Sequence, residues 1–391
     1  MNIYAGNGVN NALDTVKSEK SEGFQFTTIK ANPVTVVKNQ SSSSTCWCFS
    51  GVAFLEAELL RMNKGTYDLS EMYIVHRNYQ DKALKYVRMH GTINFPAGGS
   101  AADVVEGIRE YGLVPESEMR GLNYGEELHR HGEMDDLVES YVTSVIKNRN
   151  GKLSTAWFEG YKGILDAYLG RCPETFTYEG KQYTPQSFMA YLGINPDNYV
   201  SLTSFTHHPF YTAFPIEVPD NWRWSLSYNL PLDEMMAAIR ESVEKGYCVI
   251  WASDVSEKGY SRKGIAVMPD LDAPEGPGSD QAHWLGLNKK ERENFIAEQG
   301  KPVKEMEITQ ALRQQAFDNY ETTDDHGMLI YGTASDQNGT LYYMVKNSWG
   351  DQNPYKGTWY ASEAFVKYKT LNVVVHKDVL SKALKDKLNI K

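Results

Sequence analysis

Cysteine is scarce in this chain, with four in 391 residues, at positions 46, 48, 172 and 248. So few thiols cannot make a disulfide framework. The Cys46/Cys48 pair has one residue between its members, where zinc knuckles and thioredoxin-like sites use two. Long apolar runs are missing as well. Stretches such as Cys248-Val249-Ile250-Trp251-Ala252 extend over about five residues, against the roughly 20 that a membrane-spanning helix needs. The segment Met1 to Lys30 holds no apolar run of signal-peptide length. These absences, with the low thiol content, predict a cytoplasmic protein, or an exported or periplasmic one whose leader has been removed. Positive charge is not in excess. Forty Lys and Arg face 50 Asp and Glu, a net charge of −10, which argues against nucleic-acid binding through a general basic surface. A hydrophobic content of 41% and a charged content of 23% exclude the disordered and collagen-like classes.

What is present reads as α+β, helices first and strands last. Residues 1–23, polar and rich in Asn, Ser and Lys, predict a flexible arm. Residues 24–114 form a helical half, 115–231 a helical insertion, and 232–391 a β-rich half closed by a C-terminal helix. A short strand-like run, Val34 to Val37, leads to Asn39-Gln40 and four serines. After Thr45 the stripe Phe49, Val52, Ala53, Glu56, Leu59 and Leu60 recurs at helical steps. Ser44 or Thr45 is the N-cap, which puts Cys46 in the first turn of a buried helix. Helices are also predicted over Ala101–Glu110 and Met134–Ile146. Strands are predicted over Tyr247–Ser253, Met328–Thr333, Leu341–Lys346, Thr358–Ala361 and Leu371–Val375. The final helix, with Val379, Leu380, Ala383, Leu384 and Leu388 on one face, is cationic.

A cysteine at a helix N-terminus has chemical as well as packing consequences, because the helix dipole favours the nucleophilic thiolate. Gln40 stands six positions before Cys46, and Trp47 follows it. Two further blocks come later in the chain, Asp325-His326-Gly327 before a strand and Asn347-Ser348-Trp349-Gly350 after the next one. Leu69-Ser70-Glu71 and Gly98-Gly99 lie between. This ordered set resembles the papain-like cysteine peptidases. The serine-rich string before Cys46, the absent disulfides, and the more than two hundred residues between Gly99 and His326 are similar to the bleomycin hydrolase, or aminopeptidase C, branch.

The resemblance implies a two-part fold, a helical half bearing Cys46 and a β-barrel half bearing His326 and Asn347. It implies Cys46 as nucleophile, His326 as proton carrier, Asn347 as its orienting partner and Gln40 in the oxyanion hole. Gly98 and Gly99 would contact substrate, while Trp349 and Asp325 would support the histidine. The implied partners are peptide substrates and, in a homohexamer, further copies of the chain. Thiol chemistry of this kind requires no cofactor and no metal. The branch uses its own C-terminal carboxylate to hold a substrate's free amine, which implies an aminopeptidase. A short cationic tail here leaves an endopeptidase as the alternative. An acyltransferase would keep the same triad but use a different acceptor, and a non-enzymatic peptide binder would be expected to have lost it. The other histidine groups read as structural: His129-Arg130-His131 as a solvated face, and His207-His208 as a packed loop without an evident carboxylate partner. Cys48 is predicted to point into the core, and Cys172 and Cys248 to be structural.

Overall fold

Thirteen consecutive residues of the first helix, Trp47 to Leu59, are buried in the computed structural model, so α1 (Cys46–Arg61) is enclosed on every side rather than along one stripe. The structure describes residues 23–95, 97–257, 259–270 and 300–391, and the predicted flexible arm lies almost wholly outside these. Enclosure of α1 needs partners for its polar groups. Glu56 accepts from the Leu69 backbone N–H at 3.1 Å and from Thr35 at 2.5 Å, and Glu58 pairs with Arg61 at 2.8 Å. Around α1 pack α2 (Glu71–Arg88) and α3 (Ala101–Tyr111), followed in the chain by α4 (Gly132–Ile146), α5 (Ala156–Leu169) and α6 (Pro185–Leu192). Ser70 caps α2 by accepting from the Tyr73 N–H, and Asp103 folds back on Ser100 to start α3.

One large sheet makes up the other half. Its strands in chain order are β1 (Thr27–Ala31), β4 (Tyr199–Thr203), β5 (Ala213–Pro215), β6 (Leu226–Asn229), β7 (Val249–Ser253), β8 (Tyr260–Ser261), β9 (Ile265–Ala266), β10 (His326–Ser335), β11 (Leu341–Lys346), β12 (Thr358–Ser362) and β13 (Thr370–His376); β2 (Phe176–Tyr178) and β3 (Lys181–Tyr183) form a separate hairpin. Across the main sheet the order is β5-β6-β4-β13-β7-β10-β11-β12-β9-β8, with β1 also on β10. The central strands β7 and β13 are buried along their whole length, as their continuous apolar runs require. One core cluster gathers α1 to α6 against one face of these strands. A second lies between the sheet, α7 (Leu232–Glu244), α9 (Glu363–Lys369) and the C-terminal helix α10 (Lys382–Leu388).

Four expectations are revised. The sheet is open rather than a closed barrel, because its path ends at two-residue β8 and three-residue β5, which are not paired with each other. Residues 115–231 are not purely helical: β4, β5 and β6 from this stretch extend the main sheet, since β4 pairs with β13. Val34–Val37 is not a strand, the pairing having moved upstream to β1 on β10. The C-terminal helix is interrupted, because Ser381 caps the backbone N–H of Leu384 and restarts the helix there.

Candidate active site

Cys46 is the first residue of α1 and keeps partial access to solvent. Thr45 occupies the N-cap position, but its hydroxyl bonds Ser43 at 2.5 Å instead of capping the helix. The Thr45 carbonyl takes the N–H groups of Cys48 and Phe49, while the Trp47 N–H reaches the Cys46 sulfur, a donor that favours negative charge there. The loop before it is bent by Ser41 (φ 52°) and Ser44 (φ 54°), both left-handed, at about 1–2 kcal/mol each. Ser41 is helped there by its N–H bond to Asn39 Oδ1 at 2.9 Å.

Strand β10 delivers His326 to that helix end. Gly327, the next residue, touches α1 so closely that a Cβ would meet the Cys46 carbonyl carbon at 3.3 Å and Ser50 Oγ at 2.8 Å. Only glycine lets the strand approach at this point. The Gly327 N–H consequently reaches the Cys46 sulfur and favours the thiolate. His326 is buried, and its Nε2 lies 2.8 Å from Asn347 Oδ1. Asn347 cannot turn its amide over, because Oδ1 also accepts the Ser348 N–H at 2.7 Å while Nδ2 donates to Tyr260 Oη at 2.9 Å. His326 must then carry its proton on Nε2 and leave Nδ1 as the acceptor. Trp349 stacks on the His326 ring at 4.7 Å and 29°, covering the His–Asn bond.

Gln40 is tied to the same block. The segments 38–40 and 348–350 pair through Gln40 N–H to Ser348 O (2.8 Å) and Gly350 N–H to Lys38 O (3.2 Å). Ser348 Oγ donates to Gln40 Oε1 at 2.6 Å, which fixes the glutamine amide and leaves its Nε2 as the free donor. Gly98 (φ 131°) and Gly99 line the adjoining wall. A Cβ on Gly98 would strike Asp220 at 2.7 Å, and one on Gly99 would meet the Trp47 ring at 3.1 Å. Asp325 does not pair with its neighbour His326. Its carboxylate accepts the Val255 N–H at 2.8 Å and the Ser256 N–H at 3.1 Å, pinning the loop after β7.

Burial pushes the Cys46 thiol up to about 12, opposed by the N–H groups of Gly327 and Trp47, and it takes the His326 imidazole down to about 4, opposed by Asn347. A lone thiolate or a lone imidazolium is thus disfavoured. Asp324 and Asp220 raise the thiol further when ionised, but burial raises both carboxyls, Asp324 to about 8, so Asp324 is largely neutral near pH 7.

Sequence reading missed Tyr260, Ser348, Asp220 and Asp324 as parts of this site. Ser348 lies in the Asn347-Ser348-Trp349-Gly350 run, whereas nothing local marks Tyr260, 87 residues from Asn347. Cys48 points inward as expected, its thiol donating to Glu71 O at 3.3 Å. Cys172 is half-buried and Cys248 buried, and both are free thiols. His129-Arg130-His131 is not a solvated face: His131 is fully buried and His129 packs edge-on against Phe49. His207 and His208 do have a carboxylate partner, Glu217.

Two family models match the sequence. Residues 157–274 and 303–391, together more than half of the chain, match the peptidase C1-like family. Residues 22–129 match the papain family of cysteine proteases. Aminopeptidase C of Streptococcus thermophilus is 23% identical, over 97% of this chain and 88% of that one. Aminopeptidase C of Lactococcus lactis subsp. cremoris is 22% identical, over 97% and 89%. Among solved structures, PepW from Lactobacillus rhamnosis HN001 is similar in fold, with a TM-score of 0.69 at 20% identity over 93% of this chain and 84% of that one.

Proposed function

The chain belongs to the peptidase C1-like family of papain-type cysteine peptidases, and on that footing we propose that it is an aminopeptidase acting through a thioester on Cys46. The observation that carries the mechanism is the unbroken chain of contacts from His326 through Asn347 and Ser348 to Gln40. One short block thereby orients both the proton carrier and an oxyanion donor. In this mechanism the Cys46 thiol gives its proton to His326 Nδ1 and the sulfur attacks the scissile carbonyl. The resulting oxyanion lies between the Cys46 N–H and Gln40 Nε2, where loss of one donor costs roughly 10²–10³ in rate. The imidazolium then protonates the leaving amine as the C–N bond breaks. Water, deprotonated by the same imidazole, releases the acyl group and restores the thiol.

Removal of N-terminal residues is supported by the names of the curated relatives, aminopeptidase C in both cases. It is also supported by the Asp220 carboxyl near the sulfur, whose negative charge when ionised suits a substrate's free ammonium group. The endopeptidase alternative draws on the C-terminal helix, where Leu388 and Ile390 pack in the second core cluster and Lys387 approaches Glu234 of α7 at 3.9 Å. Low thiol content, with all four cysteines free, favours the cytoplasm as the site of action.

The test is a peptide library with N-free and N-blocked members, read by mass spectrometry. An aminopeptidase trims N-free peptides one residue at a time and spares blocked ones. Equal cleavage of both supports the endopeptidase. In the same assay Cys46→Ala should abolish turnover, while Cys48→Ala, a buried packing change, should retain it. Turnover in Cys46→Ala would end the peptidase mechanism.

A further inference from the structure

Away from the cleft, three side chains with metal-binding atoms converge at the surface. His207 Nε2 lies 3.0 Å from one carboxylate oxygen of Glu217, and His208 Nε2 lies 2.9 Å from the other. The three ligand atoms all fall within 4.8 Å of one another. Two imidazole nitrogens and a carboxylate are a donor set that zinc and its neighbours favour, with ligand bonds of about 2.0–2.2 Å. Such bonds at a tetrahedral centre put ligand atoms about 3.4 Å apart. The two short contacts are to different oxygens of Glu217, so with one oxygen as ligand the nearer imidazole opens by up to about 0.5 Å and the farther one closes by no more than about 1.4 Å. The imidazole pair needs to close by no more than about 1.4 Å.

The surroundings hold the rings in place. His208 lies flat on Phe214 (4.1 Å, 23°) and His207 is parallel to Phe317 (5.7 Å, 14°). The other nitrogen of His207, Nδ1, meets the side-chain amide of Gln314 on α8 (Gln310–Asp318), with Nε2 at 3.0 Å and Oε1 at 3.4 Å. That amide is anchored in turn by Asp318 and the Thr206 N–H. An outer partner on the second ring nitrogen is what metal-ligating histidines ordinarily have. The cluster is open to solvent, with Glu217 56% exposed, so an ion can enter and a water can take a fourth position.

We propose that His207, His208 and Glu217 form a binding site for a divalent transition-metal ion of the zinc type, with Gln314 as the outer partner of His207. Binding at Nε2 requires each neutral ring to exchange its proton through solvent onto Nδ1, with no net release, and the His207 Nδ1–H then faces Gln314 Oε1 at 3.4 Å. The ion then ties the loop after β4 to the segment after β5. That segment is a tight turn: Asn221 Nδ2 donates to Ile216 O at 3.1 Å and the Asn221 N–H to Val218 O at 3.1 Å. It carries Asp220 to the Gly98 wall, so the metal braces the cleft from behind.

The probe is Zn²⁺ itself, titrated by calorimetry into full-length Cys46→Ser protein so that the catalytic thiol cannot compete. One equivalent per chain is expected, with a rise in the thermal midpoint. Co²⁺ should give a visible spectrum without the thiolate charge-transfer band that cysteine ligands produce. In Glu217→Gln the affinity should fall at least about tenfold, and in His208→Ala stoichiometric binding should disappear. Glu217→Gln keeps a hydrogen-bonding side chain between the imidazoles, so it decides the matter if His208→Ala does not fold. Absence of stoichiometric binding, a thiolate band, or unchanged affinity in Glu217→Gln overturns the proposal.

Discussion

At the scale of single residues, the site depends on two groups that burial treats in opposite directions. Cys46 is pushed up to about 12 and His326 down to about 4, so burial disfavours the charged form of each, and the proposed mechanism charges them together by proton transfer. His326→Ala leaves the thiol alone with its raised pKa. A raised thiol pKa means less thiolate at any given pH, recovered only as the pH approaches 12. Iodoacetamide labelling of Cys46 at pH 7 should therefore fall by more than about 10²-fold in His326→Ala, with a steep rise in alkaline solution. Asn347→Ala should reduce turnover by less than His326→Ala, because it frees the ring's orientation without removing the proton carrier. Labelling of His326→Ala at the parent rate, or full activity of Asn347→Ala, contradicts these assignments. The four residues proposed for this mechanism stand out in the sequence because they lie in three short blocks, Gln40 and Cys46 sharing one. Their helpers do not. Tyr260 bonds Asn347 across 87 residues, and Asp220 meets Gly98 only after the chain has traversed α3 to β5.

Among the elements, the segment 38–40 ties the two halves together. Its Lys38 ammonium lies 3.5, 2.7 and 2.9 Å from Glu56, Asp68 and Glu71. Burial works against this cation, but the three carboxylates outweigh it and hold Lys38 protonated. Glu56 and Glu71 are buried, so removing the lysine strands two carboxyls. Lys38→Met should lower the unfolding free energy by about 3–5 kcal/mol, read from urea denaturation. The same change loosens Gln40, two residues on, and should reduce turnover of the remaining folded enzyme. A loss below about 1 kcal/mol would show the cluster to be dispensable. Helices and strands with clear periodicity, such as α3 and β11, fall where the sequence predicts them. Elements defined by their partners did not: β1 exists because β10 offers it an edge, and α10 starts afresh because Ser381 intervenes.

For the whole molecule, resemblance to the aminopeptidase C branch implies a hexamer, and a ring of cleft-bearing subunits would admit only short or unfolded peptides. Light scattering at micromolar concentration should report about six times the 44.2 kDa chain mass. A monomer throughout that range would remove the ring as the source of selectivity. What the sequence determined by itself was the family and the broad layout. The residues proposed as nucleophile, proton carrier and oxyanion donor stand out by type and by spacing within a few positions, which any chain conformation preserves. Helix-first, strand-last order follows from periodicity in the same local way. The tertiary structure alone decided which groups meet. It left the sheet open, drew strands out of the supposed helical insertion, set two carboxylates beside the sulfur and joined Glu217 to His207 and His208. Those pairings depend on distances between residues far apart in the chain, and no local pattern encodes such distances.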